Sequence, residues 1–463
     1  MLQIEFTRID AENCDSVRTL HIKMGEGKSL ELNQDVEGFN GEISKNTYSV
    51  ADAQDIGFML ASTFKKAQTL QLHIDAEAAS LFAVEAWVKW VSFGMALSTY
   101  SYKHTESLTL QPVISQFELN SDQASLNTAF EQGQILAKSQ LISRELMNKP
   151  GNVIYPVSFV QAVQELAIDK IALSYLDDKA MLDLGFGGLM GIAQGSDREA
   201  RLLCMDYHPE HAEKTIVLVG KGVTFDSGGI SIKQPRFMST MKVDMGGAAA
   251  VTGAMNAIAN LNLPVRVIGL CGLVENMPSG SAVKPGDVVT MASGKSVEII
   301  TTDAEGRMVL ADVLHYAQQT YNPDYLIDIA TLTGATGISL GKAYASLMGN
   351  DESLMTSAQE AGLACSEPLW AMPTGHDLFE ASLKSDFADL RHGSEEPDGS
   401  ACVAATFLRH FVSPEQKWIH IDSAAMSLGM NHRKIYGKAA SGYGALLLTE
   451  LCQHLVSTEQ KNK

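Results

Sequence analysis

This sequence predicts an α/β fold: a smaller N-terminal α/β domain, a linker helix, and a larger domain around a central, mostly parallel or mixed sheet flanked by helices. Two observations carry that expectation. Past residue 200, continuous apolar runs of strand length alternate with longer, helically periodic stretches. The composition, 45% hydrophobic and 19% charged over 463 residues, is that of a globular chain with room for more than one core.

Residues 1–125 form the first predicted domain. Met1 to Phe6 alternates like a strand, and Thr69 to Ile74 reads as another. Ala51 to Leu70 and Ala76 to Leu97 read as helices. Acids, lysines and histidines are scattered here without a close cluster, so a folding or assembly role is expected. Residues 126–150 read as the linker helix, with Phe130, Ile135, Leu136, Leu141, Ile142 and Leu146 at helical spacing and Pro150-Gly151-Asn152 as its stop. The second domain is 151–463. A helix starts at Pro156, and Gly185, Gly187, Gly188 and Gly191 are expected to serve tight packing.

From residue 200, Leu202 to Met205, Ile216 to Val219, Val265 to Leu270, Leu326 to Ala330 and Trp418 to Asp422 read as buried strands. Gly247 to Asn260, Arg307 to Gln319, Ser353 to Cys365 and Ala401 to Phe411 read as helices between them. Residues 287–300 suggest a hairpin.

Charge and cysteine usage narrow the function. A net charge of −19 and a pI near 5.0 disfavour nucleic-acid and anionic-membrane partners. The six cysteines form no CxxC pair, which excludes a zinc finger and points to a reducing compartment. The N-terminus lacks a basic-then-apolar leader, and no run of about 18 apolar residues is present. A cytoplasmic protein is expected.

The candidate chemistry lies in two clusters. Thr301-Thr302-Asp303-Ala304-Glu305-Gly306-Arg307 places two carboxylates and a guanidinium on a turn between a strand and a helix. Carboxylates suit hard divalent cations, and an arginine suits an oxyanion. A solvated turn would explain those seven residues as well. The second cluster follows the strand ending at Val219: Gly220-Lys221-Gly222, Phe225-Asp226-Ser227-Gly228-Gly229, Lys233 and Asp244-Met245-Gly246-Gly247. Neither GxxxxGK[ST] nor GxGxxG is present, which leaves close backbone approach at a metal site as the better reading. These residues are expected on loops at strand ends, where α/β domains place ligands. Asp226, Asp244, Asp303 and Glu305 in one cleft would repel unless cations neutralised them, and two divalent ions would do so.

These segments resemble the leucyl aminopeptidase (cytosol aminopeptidase) family over roughly residues 140–450. The resemblance runs through Val219 to Gly229, Asp244 to Ala249, Glu275 to Gly280, Lys284 to Asp287, Thr302 to Arg307, Ala330 to Ala335 and Trp418 to Asp422, in that order. It implies an exopeptidase with two divalent metal ions per chain, Mn²⁺ or Zn²⁺. Asp226 and Glu305 would bridge both metals, Asp303 would complete the first site, and Lys221 and Asp244 the second. Lys233 would polarise the scissile carbonyl, and Arg307 would hold a bicarbonate acting as general base. Substrates would be peptides with a free N-terminus, and the chain would form a homohexamer. Thr301 stands where the family usually has Asn, Met308 where it has Leu, and Asp422-Ser423-Ala424-Ala425 where it has Asp-Ile-Ala-Gly. Two other function classes compete: a catalytically reduced scaffold or DNA-binding member, and a two-metal phosphatase.

Overall fold

A computed structural model of the chain describes residues 2–8, 17–24, 33–35, 38–43, 49–63, 69–74, 84–98, 100, 102, 116–120, 124–394, 396–428, 433–437 and 439–461. The chain divides into two compact units, 1–138 with 433–437, and 139–432 with 438–463.

The first unit carries strands β1 (Leu2–Arg8), β2 (Val17–Met24), β3 (Asn33–Asp35), β4 (Gly38–Ile43), β5 (Thr69–Ile74) and β6 (Gln116–Asn120). They form one sheet in the order β3-β4-β1-β2-β5-β6. Helices α1 (Val50–Thr63) and α2 (Val84–Leu97) cross on a pair of glycines. A Cβ on Gly57 would lie 2.0 Å from Val91 O, and one on Gly94 1.9 Å from Gln54 O. The helix expected over 51–70 ends earlier, because Thr69 and Leu70 pair with Val17 and Arg18 in the sheet. Residues 76–83 of the other expected helix, and Cys14, lie outside the described residues.

Helix α3 (Ala124–Asn148) leads into the second unit, followed by α4 (Pro156–Glu165) and α5 (Gly187–Ala193). The tight packing expected at the glycines is present at two: a Cβ on Gly187 would lie 1.9 Å from Thr290 O and one on Gly188 2.3 Å from Met291 Cε, whereas Gly185 and Gly191 have room for a Cβ at 3.9 and 3.7 Å from their nearest neighbours. The second unit's main sheet uses β7 (Ile171–Leu176), β8 (Arg201–Tyr207), β9 (Thr215–Asp226), β10 (Arg266–Asn276), β13 (Tyr325–Ala330), β14 (Ala345–Gly349), β15 (Leu369–Ala371) and β17 (Trp418–Asp422). Their order is β15-β14-β17-β13-β9-β10-β8-β7. The four central strands, β17, β13, β9 and β10, run parallel; β14, β8 and β7 are joined antiparallel. The expected hairpin is β11 (Val288–Thr290) with β12 (Ser296–Glu298), and β12 also pairs with β16 (Leu390–Arg391).

Helices cover both faces. Helix α6 (Gly246–Asn260) packs on β9, β10 and β13, with α9 (Glu352–Cys365) and α11 (Ala445–Lys461) beyond it. On the other face lie α7 (Glu305–Tyr321), α5 and α10 (Ser400–Arg409), while α8 (Gly334–Leu340) follows β13. The mixed α/β sheet with flanking helices is the fold that the apolar runs predict. Among the described residues, no helix is long and apolar enough to cross a membrane.

A second expectation fails. The strand ending at Val219 does not open into a glycine loop; β9 continues through Gly220, Lys221 and Gly222 to Asp226. The glycines serve packing rather than turning. A Cβ on Gly220 would lie 2.7 Å from Ala248 of α6, and one on Gly222 2.6 Å from Gly272 O. Lys221 is therefore an in-strand residue at 1% exposure, not a loop charge.

Candidate active site

Beyond the carboxyl ends of β9 and β13 lies a cleft of about 530 Å³. Lys221, Asp226, Lys233, Asp244, Asp303 and Glu305 all line it. They arrive from several elements. Lys221 and Asp226 come from β9 itself. Lys233 follows the turn Gly228-Gly229, where φ of 89° and 66° is a conformation L side chains rarely adopt. A Cβ on Gly228 would also lie 2.8 Å from Asp303 Oδ1, so this turn packs directly on the acidic one. Asp244 follows the short 3₁₀ turn Met241–Val243 and precedes α6. Glu305 is the first residue of α7, where the helix dipole favours an anion.

The four acids and two lysines form two ion-pair sets. Lys221 Nζ lies 2.8 Å from both Asp244 Oδ2 and Glu305 Oε1 and donates to Thr331 O at 2.8 Å. Lys233 Nζ lies 2.6 Å from Asp226 Oδ2 and 2.5 Å from Asp303 Oδ1. Three of the acids are buried; only the Asp303 side chain, 36% exposed, meets solvent broadly. The turn is thus not a solvated one.

Four carboxylates face two ammonium groups, and the balance shows in their acidity. Burial, then the charge of Glu305, pushes Asp226 up to about 6. Burial likewise raises Asp244 and Asp303. Burial works against ionised Glu305, but Lys221 and then Lys233 outweigh it and hold its carboxyl below the ordinary value. Burial also opposes the Lys221 charge, and Asp244, Glu305 and Asp226 together reverse that. The cluster carries more negative charge than its own lysines cancel, which is the electrostatic condition for binding cations.

The donor set fits divalent metal ions. Asp226, Asp244 and Glu305 each present an oxygen within 4.8 Å of the others. Oε2 of Glu305 is buried and receives no hydrogen bond. Hard oxygen donors with one amine suit Zn²⁺ and Mn²⁺.

Arg307 sits apart. It lies in the first turn of α7 but does not line the cleft. Its Nη1 donates to His392 O at 2.8 Å, while the buried Nε has no partner. Burial brings its pKa down to about 10. Among the described residues it makes no carboxylate ion pair.

Hydrogen bonds from residues outside the expected set hold the acids in place. Asn276 Nδ2 donates to Asp226 Oδ1 (2.8 Å) and to Thr302 O (2.9 Å), joining the two acidic segments. Thr331 Oγ1 donates to Asp244 Oδ1 at 2.7 Å. Thr302 Oγ1 donates to Gly228 O and accepts from Ser231 N. Asn276 and Thr331 lie within the motifs Glu275 to Gly280 and Ala330 to Ala335, whose chemistry the sequence leaves unassigned. The cleft also has an apolar lining, from Met241, Val243, Leu332, Ala424 and Ala425.

Residues 141–449 match the model of the cytosol aminopeptidase family, catalytic domain. The chain is 36% identical to a probable cytosol aminopeptidase of Brucella ovis over 92% of this chain and 91% of that one. It is 38% identical to one of Rickettsia canadensis, over 92% and 85%. Its fold is similar to the solved structure of the bottromycin maturation enzyme BotP in complex with Mn, with TM-score 0.83, 29% identity, and 92% and 93% of the two chains covered. The chain belongs to the cytosol aminopeptidase family.

Proposed function

We propose that this protein is a two-metal aminopeptidase that removes the N-terminal residue of peptides. The observation that carries the reading is the convergence of Asp226, Asp244 and Glu305 around buried Lys221 at the floor of a cleft. Asp226 and Glu305 would bridge two cations, Mn²⁺ or Zn²⁺, with Asp303 completing one site and Lys221 and Asp244 the other. When bound, the pair supplies a water of lowered pKa and a Lewis acid.

The rest is the work of the chain's own groups. Lys233 reaches the cleft with its side chain 18% exposed. From there its ammonium donates to the scissile carbonyl oxygen and stabilises the charge that develops on it. Arg307, buried and without a carboxylate ion pair among the described residues, would hold a bicarbonate, which would supply a general base. The apolar lining receives the side chain of the residue being removed. The first unit serves assembly into a homohexamer in the cytoplasm.

Aminoacyl-p-nitroanilides, their N-acetylated forms and a phosphate ester, each with Mn²⁺, Zn²⁺ or chelator, test the reading. Chelator-sensitive release from the free amines alone is expected. Turnover of the phosphate ester in preference would overturn it.

A further inference from the structure

His392 follows strand β16 and is 1% exposed. It uses every polar group it has. Its backbone N–H donates to Glu298 O at 3.2 Å, and its carbonyl accepts from Arg307 Nη1 at 2.8 Å. In the ring, Nδ1 accepts the Ile300 N–H at 3.1 Å, and Nε2 bonds Thr301 O at 2.7 Å. A backbone N–H can only donate and a carbonyl can only accept. The ring is therefore fixed as the neutral Nε2–H tautomer. Burial, then the Arg307 charge, pushes its pKa down to about 4, in keeping with that form.

These bonds bracket the acidic turn. Thr301 immediately precedes Thr302-Asp303-Ala304-Glu305, and Arg307 lies two residues past Glu305. The Ile300–Thr301 linkage runs between the end of β12 and the start of α7, where neither helix nor sheet bonds hold it. Without the ring, the Ile300 N–H would lose its partner, and the Thr301 carbonyl would keep only the long turn bond from Ala304 N at 3.4 Å.

We infer that His392 is a positioning residue for the catalytic turn: its imidazole pins the Ile300–Thr301 linkage and its carbonyl aims the Arg307 guanidinium, so that Asp303, Glu305 and Arg307 keep one mutual geometry. The inference rests on the aminopeptidase reading above. It also assigns a role to a residue that touches neither substrate nor metal. Groups that orient ligands from behind set metal affinity and rate together.

Three variants of the full chain test it: His392→Phe, which keeps ring volume without nitrogens, His392→Asn, whose amide reaches the Nδ1 position, and His392→Gln, whose amide reaches the Nε2 position. Mn²⁺ affinity is measured by calorimetry, and kcat and KM on an aminoacyl-p-nitroanilide at saturating Mn²⁺. His392→Phe is expected to lose about 10–100-fold in Mn²⁺ affinity and in kcat, with KM little changed. The Asn and Gln variants should each recover part of both losses. A lowered Tm with wild-type Mn²⁺ affinity and kcat would reduce His392 to a packing residue and overturn the inference. If the Phe variant fails to fold, the amide variants decide: both matching wild type in affinity and kcat is the same refutation. An inactive wild type would defeat the aminopeptidase reading, while the order of Mn²⁺ affinities would still decide the role of His392.

Discussion

Two groups of buried acids lie at and within the second unit's main sheet, and they are built differently. At the cleft, Asp226, Asp244 and Glu305 share two lysines, and Glu305 keeps one oxygen without a donor. Deeper in, Asp328 of β13 and Asp422 of β17 have donors on every oxygen. Asp328 takes Trp418 Nε1 at 2.7 Å and pairs with His420 Nδ1 at 2.5 Å. Asp422 accepts the N–H groups of Leu332, Thr333 and Ala424 and the hydroxyls of Thr333 and Thr336. A saturated buried acid has nothing left to offer a ligand and serves cohesion; an under-supplied one beside a cleft is available for chemistry. Burial alone does not separate the two groups. Counting donors does.

The largest break should come from the under-supplied group. Glu305→Ala is expected to lower metal content and cut peptidase activity by orders of magnitude, with the circular dichroism of the wild type retained. Full metal content at a normal rate would place Glu305 with the structural acids.

Lys221→Arg comes next. Lysine binds a metal only as the free amine, and arginine stays charged. The Lys221 ammonium is held above its ordinary value, so metal binding must displace a tightly held proton, and affinity should rise with pH. The variant should lose one metal equivalent and nearly all activity, whereas Lys233→Arg should lose much less. Two equivalents per chain with near-normal turnover would remove Lys221 from the ligand set.

The saturated group should respond in stability instead. Asp328→Asn breaks a fully buried ion pair and should destabilise the fold by about 3 kcal/mol, read by chemical denaturation. Its folded, metal-loaded fraction should keep its kcat. A rate loss without a stability loss would erase the distinction between the two groups.

The smallest effect concerns pH. Burial opposes the His420 charge, but Asp328 reverses that, so its pKa is raised above the ordinary 6.5. A raised folded pKa adds stability below the unfolded value, and that addition is lost as pH rises through the folded one. The stability gap between wild type and His420→Phe should therefore be wider at pH 6 than at pH 9.5. A gap that widens with pH would mean that the ring is neutral in the fold.

Much of this was legible in the residues. Val217, Leu270, Ile327 and Ile419 lie in largely apolar runs of strand length, and those runs are the four central strands. Six of the seven candidate site residues line one cleft, because β9, the segments that follow it and the start of α7 converge there. Lys221 was misplaced because its flanking glycines read as a turn when they are spacers, Gly220 under α6 and Gly222 beside β10. The partners were harder. Asn276 reaches Asp226 across fifty residues and His392 reaches Thr301 across ninety-one. No local spacing records such a pairing, and the stretch around His392 carries no periodic or motif signal.

Helix α6 has a consequence for how this protein can change. Every residue from Gly246 to Ala259 is buried, on all sides of the helix. A Cβ on Gly247 would strike Ile329 O at 2.1 Å, and one on Gly253 would lie 2.6 Å from Ser139 O. No side chain there has an outward direction in which to grow. Random substitution across this segment should return almost no folded protein, and the tolerated changes should be exchanges among the smallest residues. On the proposed reading, variation in what the enzyme cleaves would then be written elsewhere, as at Ala424 and Ala425, small half-buried side chains that line the cleft.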